Sequence, residues 1–173
     1  IVGGMGTPGG PEAIGGIWST SVGLFSKFGK DRVIDTPISE SAIMGAAAGL
    51  ALAGKRPVAE LMFADFIGVS LDQIWNQMAK FRYMFGGKTK CPAVIRMAYG
   101  AGFNAAAQHS QSVHQILTGM PGLKVVMPST PADVKGLGVV QLGPVRELVG
   151  PCGRGRSGRR EGGGVGLDVR VPL

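Results

Sequence analysis

Three short segments of the chain carry side chains that could do chemistry, and each directly follows a stretch predicted to be a β-strand. They are the segment that ends at Glu40, the turn at residues 63–66, and the loop that carries His109. Glutamate carboxylates and histidine imidazoles commonly exchange protons with substrates near neutral pH. Because loops that follow strands hold the sites of α/β folds, these three segments form the candidate site.

Glu40 lies at the start of a predicted helix, after the sequence Asp-Thr-Pro-Ile-Ser at residues 35–39. Ser39 is a suitable N-cap, and a carboxylate in the first helical turn faces the positive end of the helix dipole. Glu40 could therefore be an ordinary surface acid that stabilises the helix. Spacing alone does not exclude this alternative.

The chain has two histidines, His109 and His114. His109 lies in a loop rich in alanine, where a single histidine is by itself weak evidence of a site. A separation of five residues places two side chains on a common face of neither a helix nor a strand. We therefore expect His114 to be structural, and we predict no metal site.

Apolar runs alternate with segments of helical periodicity. Mainly apolar runs, which predict buried strands, occur at residues 57–63, 92–97 and 123–127, and residues 32–35 around the apolar pair Val33-Ile34 are also predicted to be a strand. Helices are predicted at residues 24–28, 41–54 and 66–83, and another is predicted to begin at Thr130-Pro131 with Asp133 in its first turn. This alternation indicates an α/β fold with a mainly parallel sheet and helices on both faces.

Two of the predicted helices have unusual surfaces. The helix at 41–54 carries Gly45 and Gly49 four residues apart, which predicts close packing of that face in the core. The helix at 66–83 adds Trp75 and Tyr83 to its apolar face, as expected for a helix with neighbours on more than one side.

The chain divides into three parts. Residues 1–31 are rich in glycine and proline, and we expect a loop over residues 1–23; residues 32–137 contain the alternating pattern of one folded domain. Residues 138–173 contain six arginines against three acids and a Gly/Arg-rich run at 153–164 without periodicity. We expect this tail to be disordered.

The composition excludes some classes of protein. The two cysteines, Cys91 and Cys152, lie far apart and predict no disulfide framework. No apolar run approaches the ~18 residues of a membrane span, so we expect no membrane partner. No targeting segment is visible, and the net charge of +7 is spread too unevenly to indicate a specific nucleic-acid partner.

Residues 32–137 resemble the beta subunit of the thiamine-diphosphate-dependent component of 2-oxo acid dehydrogenase complexes. The matching segments share order and spacing with that family, and they are residues 32–40, 56–60, 72–74 with Lys80 and Tyr83, 106–111, and 121–126. Within the family, residues 66–69 and 81–87 look most like acetoin dehydrogenase, and the pyruvate and branched-chain enzymes are also similar. The resemblance implies a transketolase-like pyrimidine-binding domain.

The resemblance also implies roles for three residues. Glu40 matches the glutamate that hydrogen-bonds a ring nitrogen of the cofactor's aminopyrimidine, where a shared proton favours the imino tautomer. Phe66 matches the aromatic residue that stacks on this ring, and it would otherwise be an ordinary core residue. His109 matches the family's active-site histidine, whose expected role is to transfer a proton or to orient the substrate and the lipoyl group.

The resemblance further implies shared cofactors and several partners. The family binds magnesium through a Gly-Asp-Gly motif in a separate alpha subunit, and this sequence contains no such motif. We therefore expect thiamine diphosphate to be shared with an alpha subunit that holds magnesium, in an α2β2 heterotetramer that docks on a dihydrolipoamide acyltransferase core. The family's C-terminal domain does not follow residue 137, so we expect assembly of this chain as given to be impaired.

The predicted function is the oxidative cleavage of acetoin to acetaldehyde, with acetyl transfer to lipoamide. Two alternatives remain: a pyruvate or branched-chain 2-oxo acid as the small-molecule substrate, or a non-catalytic fragment whose Arg/Gly tail binds polyanions. The family implies a cytoplasmic protein in a bacterium, or one of the mitochondrial matrix or plastid in a eukaryote.

Overall fold

A computed structural model describes residues 2–4, 16, 20–142 and 165–170. The strands are β1 (Val2–Gly4), β2 (Ile34–Thr36), β3 (Val58–Phe63), β4 (Val94–Tyr99), β5 (Lys124–Val126) and β6 (Val165–Arg170). The α-helices are α1 (Leu24–Phe28), α2 (Glu40–Leu52), α3 (Ile67–Asp72), α4 (Phe81–Met84), α5 (His114–Thr118) and α6 (Pro131–Leu142). The alternating strands and helices confirm the predicted α/β class.

The described strands form one sheet in the order β2-β1-β3-β4-β6-β5. β1 pairs in parallel with β2 and β3, and β3 pairs in parallel with β4. β6 runs antiparallel to both β4 and β5, so β5 has the same direction as the first four strands. The sheet is therefore mainly parallel, as predicted, and β6 is its reversed strand.

The order of the strands places a crevice at the carboxyl ends of β1 and β3. The chain passes from β1 outward to β2 on one side, whereas it passes from β3 to β4 on the other side. The direction in which the chain moves along the sheet therefore reverses at β2. Because parallel crossovers are right-handed, the connections before and after β2 lie on opposite faces of the sheet. Ligands of open α/β sheets bind at such a reversal point.

The main core lies between one face of the sheet and the helices α2 to α5. Alternate residues of β3 and β4, such as Leu61 and Ile95, point into it, and α2 contributes Ile43 and Met44. Leu117 of α5 is fully buried in the same cluster. On the other face of the sheet, Glu60 of β3 pairs with Arg96 of β4.

The helix predicted over residues 66–83 is interrupted. A 3₁₀ turn at Ala64–Phe66 leads into α3, a π-helical segment spans Gln73–Met78, and α4 begins only at Phe81. The amide of Ala79 donates to the carbonyl of Ile74, five residues back, at 3.0 Å. Both Ile74 and Met78 of the π-helical segment are buried. Residues four apart also share a face of a regular helix, so the apolar periodicity of the sequence does not reveal the interruption.

Two further expectations about the chain's ends were wrong. Residues 2–4 lie in the segment predicted as a loop but form β1. Residues 165–170 lie in the tail expected to be disordered but form β6, and α6 continues past residue 137 to Leu142. Residues 143–164, which include the Gly/Arg-rich run, lie outside the described residues.

The helix-end signals are mostly confirmed. Gly29 ends α1 with a φ of 73° and donates its amide to the carbonyl of Phe25 at 2.8 Å. Before α6, the amide of Asp133 donates to Thr130 Oγ1, and the Asp133 carboxylate accepts from the Thr130 amide. The hydrogen bonds with Thr130 and Ser129 hold the pKa of Asp133 below its usual range. Ser39 precedes α2, but its side chain makes no capping bond.

Among the described helices, none combines the length and the apolar character needed to cross a membrane.

Candidate functional site

Glu40 is the first residue of α2 and lies just beyond the carboxyl end of β2. Its side chain is buried, with 9% of the residue exposed, so the alternative of an ordinary surface acid is wrong for this chain. The neighbouring Ser41 donates its hydroxyl to the carbonyl of Val69 at 2.6 Å. This bond ties the start of α2 to α3, the helix that follows the turn at Phe66.

Phe66 and His109 lie in direct contact. Their ring centroids are 5.3 Å apart, and the ring planes are nearly perpendicular, at 89°. Phe63 at the end of β3 packs against both, with its centroid 4.5 Å from His109 and 6.2 Å from Phe66. These edge-to-face contacts connect the carboxyl end of β3 to the loop that follows β4.

The loop that carries His109 is held at its base by the backbone of Gln111, whose carbonyl and amide each make one hydrogen bond. The carbonyl of Gln111 accepts from the amide of Gly100 at 3.2 Å. The amide of Gln111 donates to Asp65 Oδ1 at 3.1 Å, so the loop is attached to the turn between Phe63 and Phe66. The turn after β3 and the loop after β4 therefore form a single connected unit.

The structure thus brings two of the three predicted site residues into contact. Phe66 and His109 touch, whereas Glu40 makes no hydrogen bond to either of their segments within the described part of the chain. Glu40 is connected to the same region only through the bond between its neighbour Ser41 and α3. His114 packs against Tyr99, with ring centroids 5.6 Å apart.

Sequence reasoning missed Asp65. It considered the turn at residues 63–66 as a whole but did not single out its one acid. An acidic residue directly after a buried strand was the available signal. Asp65 Oδ2 is buried, and no hydrogen-bond partner for it is found among the described residues.

Sequence reasoning also missed the ion pair between Glu60 and Arg96. Each is the third residue of its strand, and the two residues face each other in the register of β3 and β4. Thr20 accepts a hydrogen bond from Arg96 at 2.8 Å and donates one to Glu60 at 3.4 Å. A charged residue within each of two adjacent apolar runs was the signal. The pair lies on the face of the sheet opposite the core, where it links β3 to β4, so we assign it a structural role.

The remaining candidates for nucleophile or metal ligand do not form a second site in the described part of the chain. Burial raises the pKa of the Cys91 thiol to about 11, so this thiol stays protonated at neutral pH. No group of three or more His, Cys, Asp or Glu side chains able to hold a metal ion occurs among the described residues.

The arrangement suits a flat ligand that carries both polar and aromatic surface. It offers a buried carboxylate at Glu40, aromatic rings at Phe63 and Phe66, and an imidazole at His109. All of them follow the carboxyl ends of β2, β3 or β4, close to the reversal point of the sheet. A nitrogen heterocycle could share a proton with the carboxylate and stack on an aromatic ring.

Comparison with known proteins identifies one matching family and several relatives. The profile of the family "Transketolase, pyrimidine binding domain" matches residues 7–145. The beta subunit of acetoin:2,6-dichlorophenolindophenol oxidoreductase from Cupriavidus necator is 61% identical over 137 residues, which is 79% of this chain and 40% of the relative. The Bacillus subtilis protein of the same name is 60% identical over 126 residues, covering 73% of this chain and 37% of the relative.

A further relative is named for a different substrate, 2-oxoisovalerate. The beta subunit of 2-oxoisovalerate dehydrogenase from Bacillus subtilis is 50% identical over 123 residues, which cover 71% of this chain and 38% of the relative. In each of these comparisons the matched part spans about two fifths of the relative's length.

Proposed function

The chain belongs to the transketolase pyrimidine-binding domain family, and we propose that it supplies the aminopyrimidine half of a thiamine-diphosphate site in the beta subunit of an acetoin-cleaving dehydrogenase. One observation carries the proposal: the contact of Phe66 with His109 at the reversal point of the sheet, beside a helix that begins with the buried Glu40. The similarity to the two acetoin oxidoreductase beta subunits supports the choice of substrate.

In this proposal each of the three residues has one task. Glu40 holds a proton that it shares with a ring nitrogen of the aminopyrimidine. The environment suits this role, because Glu40 is a buried acid at the first position of α2. Phe66 supplies an aromatic ring for stacking, and Phe63 and His109 pack against it with their ring planes nearly perpendicular to its own.

His109 would move or orient a proton at the substrate. It is partly exposed, so it can reach a bound substrate, and its ring is held against Phe63 and Phe66. An imidazole can both accept and donate a proton near neutral pH. When bound, thiamine diphosphate supplies the nucleophilic carbon and the electron sink that cleavage of a bond next to a carbonyl requires.

We assign the diphosphate and magnesium to a separate alpha subunit. The described residues offer no cluster of three metal-binding side chains, and the sequence contains no Gly-Asp-Gly motif. The exposed aromatic side chains Trp75, Tyr83 and Phe85 support the presence of a partner. The finer proposal is an α2β2 heterotetramer docked on a dihydrolipoamide acyltransferase core.

The proposed reaction cleaves the bond between the carbonyl carbon and the hydroxyl-bearing carbon of acetoin. The hydroxyl-bearing half leaves as acetaldehyde, and the other half is oxidised to an acetyl group. Lipoamide accepts this acetyl group, and its disulfide is reduced to a thioester and a thiol. A 2-oxo acid substrate would lose carbon dioxide instead of acetaldehyde.

The test is acetoin-dependent dye reduction by this chain mixed with a purified alpha-type subunit, thiamine diphosphate and magnesium. Although assembly of this chain is expected to be impaired, we expect a fraction of it to form a complex on a sizing column, and we expect that complex to have a higher kcat/KM for acetoin than for pyruvate or 2-oxoisovalerate. A complex that oxidises only 2-oxo acids would contradict the choice of substrate. Absence of any complex would contradict the proposed partner.

The polyanion-binding alternative gains no support from the comparisons, whose named relatives are all oxidoreductase or dehydrogenase subunits. Its Gly/Arg-rich run lies outside the described residues.

A further inference from the structure

The loop that carries His109 contains a strained residue. Ala106, three residues before His109, has a φ of 61° and a ψ of −167°. This region of backbone space is almost restricted to glycine, and a residue with a Cβ persists there only when surrounding contacts hold it. The amide of His109 donates to the carbonyl of Ala106 at 3.3 Å, so the strained residue directly sets the position of the histidine.

Among the described residues, few contacts hold this loop in place, and one of them is the backbone hydrogen bond between Gly100 and Gln111. Ala106, Ala107 and Gln108 are exposed, so their side chains contribute little packing. The described contacts between the loop and the turn after β3 are the rings of Phe63 and Phe66 on His109 and the hydrogen bond from the Gln111 amide to Asp65 Oδ1. Of these, only the hydrogen bond fixes the backbone of the loop.

Asp65 lies at the centre of this arrangement. It stands between Phe63 and Phe66 in sequence, and its carboxylate bonds to the residue two positions after His109. The same turn therefore contacts both the histidine ring, through Phe63 and Phe66, and the backbone of its loop, through Asp65. A carboxylate is a strong acceptor for a backbone amide, because a charged partner strengthens the hydrogen bond.

We propose that Asp65 is the positioning residue of the candidate site: its carboxylate holds the strained loop that presents His109 against Phe63 and Phe66. The claim that the position of His109 matters for catalysis rests on the proposed function. The claim that Asp65 sets the position of His109 is independent of that function. Asp65 acts through Gln111 and is not itself assigned contact with a substrate.

The two histidines allow a test that needs no activity. In nuclear magnetic resonance spectra of the full chain, the imidazole resonances of His109 are expected to carry ring-current shifts from Phe63 and Phe66. His114 contacts Tyr99 just outside the loop that the bond between Gly100 and Gln111 closes, and it serves as a nearby internal control. The measured quantities are these resonances and the hydrogen exchange of the Gln111 amide.

Asp65→Ala removes the acceptor. We expect the His109 resonances to move towards the positions of an unstructured histidine, those of His114 to stay unchanged, and the Gln111 amide to exchange about tenfold faster. Asp65→Asn keeps an oxygen acceptor at the same place, so it should retain most of the His109 shift. Unchanged His109 resonances in Asp65→Ala would overturn the proposal.

A third variant covers the case in which Asp65→Ala does not fold. Ala106→Gly removes the strain that the hydrogen bond has to hold. In the Asp65→Ala/Ala106→Gly variant, we expect the His109 shift to be partly restored. Loss of the shift in Asp65→Asn, in a chain whose His114 resonances are native, would also contradict the proposal.

Activity measurements then separate this inference from the proposed function. In the assembled enzyme, Asp65→Ala should lower kcat more than it weakens thiamine-diphosphate binding, and Asp65→Asn should recover part of the loss. If the resonances respond as expected but no variant and no wild-type complex oxidises acetoin, the proposed function fails and the positioning role stands.

Discussion

At the scale of single residues, the two members of the Glu60–Arg96 pair are unequal. The Glu60 side chain is 5% exposed, whereas that of Arg96 is 36% exposed. Arg96 can be hydrated when its partner is removed, but Glu60 cannot. Glu60 Oε1 is already buried without a partner among the described residues, so the carboxylate depends on Arg96 for its compensation.

This asymmetry predicts different costs for two substitutions. Arg96→Met leaves a buried, uncompensated carboxylate and should destabilise the chain by about 3 kcal/mol. Glu60→Gln removes the buried charge and should cost only about 1 kcal/mol. Urea denaturation at neutral pH measures both values. Equal costs for the two variants would contradict the view that burial of Glu60 controls this pair.

At the scale of elements, Gly122 fixes how the chain enters β5. A Cβ at Gly122 would overlap the carbonyl oxygen of Ala79, the residue that follows the π-helical segment. Its φ of 97° is also unfavourable for other residues. Lys80 Nζ donates to the carbonyl of Pro121 at 3.5 Å and reinforces the contact between these two segments.

Two glycine-to-alanine variants separate overlap from backbone strain. Gly122→Ala should cost about 3 kcal/mol or more, because backbone must move to accommodate the Cβ. Gly54 has a φ of 80° but no atom within 4 Å, so Gly54→Ala should cost about 1 kcal/mol from strain alone. Thermal or urea unfolding provides the measurement, and equal costs for these two would contradict the close contact.

Gly49→Ala tests the surface of α2. Close core packing was predicted for Gly45 and Gly49. A Cβ at Gly45 would lie 3.5 Å from Gln73 Oε1, but Gly49 is exposed and has no atom within 4 Å, so the prediction was wrong for Gly49. In the isolated chain, Gly49→Ala should stabilise the helix by up to about 1 kcal/mol. A large destabilisation would indicate a contact that the structure does not contain.

The sequence was sufficient for the local features and insufficient for the non-local ones. The positions of β2 to β5 follow from apolar runs, and the end of α1 follows from Gly29, because each depends on neighbouring residues. The bond between Asp65 and Gln111 joins residues 46 positions apart, so no local pattern reveals it. The pairing of β6 between β4 and β5 is non-local in the same way.

The same distinction applies to the candidate site. Glu40, Phe66 and His109 were found because each follows a strand and matches a family position. The contact of Phe66 with His109 depends on the neighbouring positions of β3 and β4 in the sheet, which only the structure gives. The strain at Ala106 was not predictable either, because tertiary contacts force an alanine into that conformation.

At the scale of the whole molecule, exposed apolar side chains are concentrated between Val69 and Phe85. Tyr83 is 88% exposed, Trp75 is 44% exposed, and Met84 and Phe85 are also exposed. Within the described residues, nothing covers these side chains. They are the basis for proposing a partner subunit at this segment, and the partner would complete the cofactor site that the chain provides only in part.

The central claim is that Glu40 shares a proton with the aminopyrimidine of thiamine diphosphate, and one comparison tests it most directly. Acetoin-dependent dye reduction is measured for the complex of this chain with an alpha-type subunit, in the wild type, in Glu40→Gln and in Asp31→Asn. Asp31 is an exposed acid in the turn before β2, so its variant removes the same charge from the opposite end of that strand.

We expect Glu40→Gln to lower kcat by about a hundredfold or more, because an amide cannot exchange the proton that a carboxyl group shares. Asp31→Asn should keep wild-type activity, and the wild type and both variants should form the complex. If Glu40→Gln retained activity within about twofold of the wild type in an intact complex, Glu40 would have no part in proton transfer and the proposed site would be wrong.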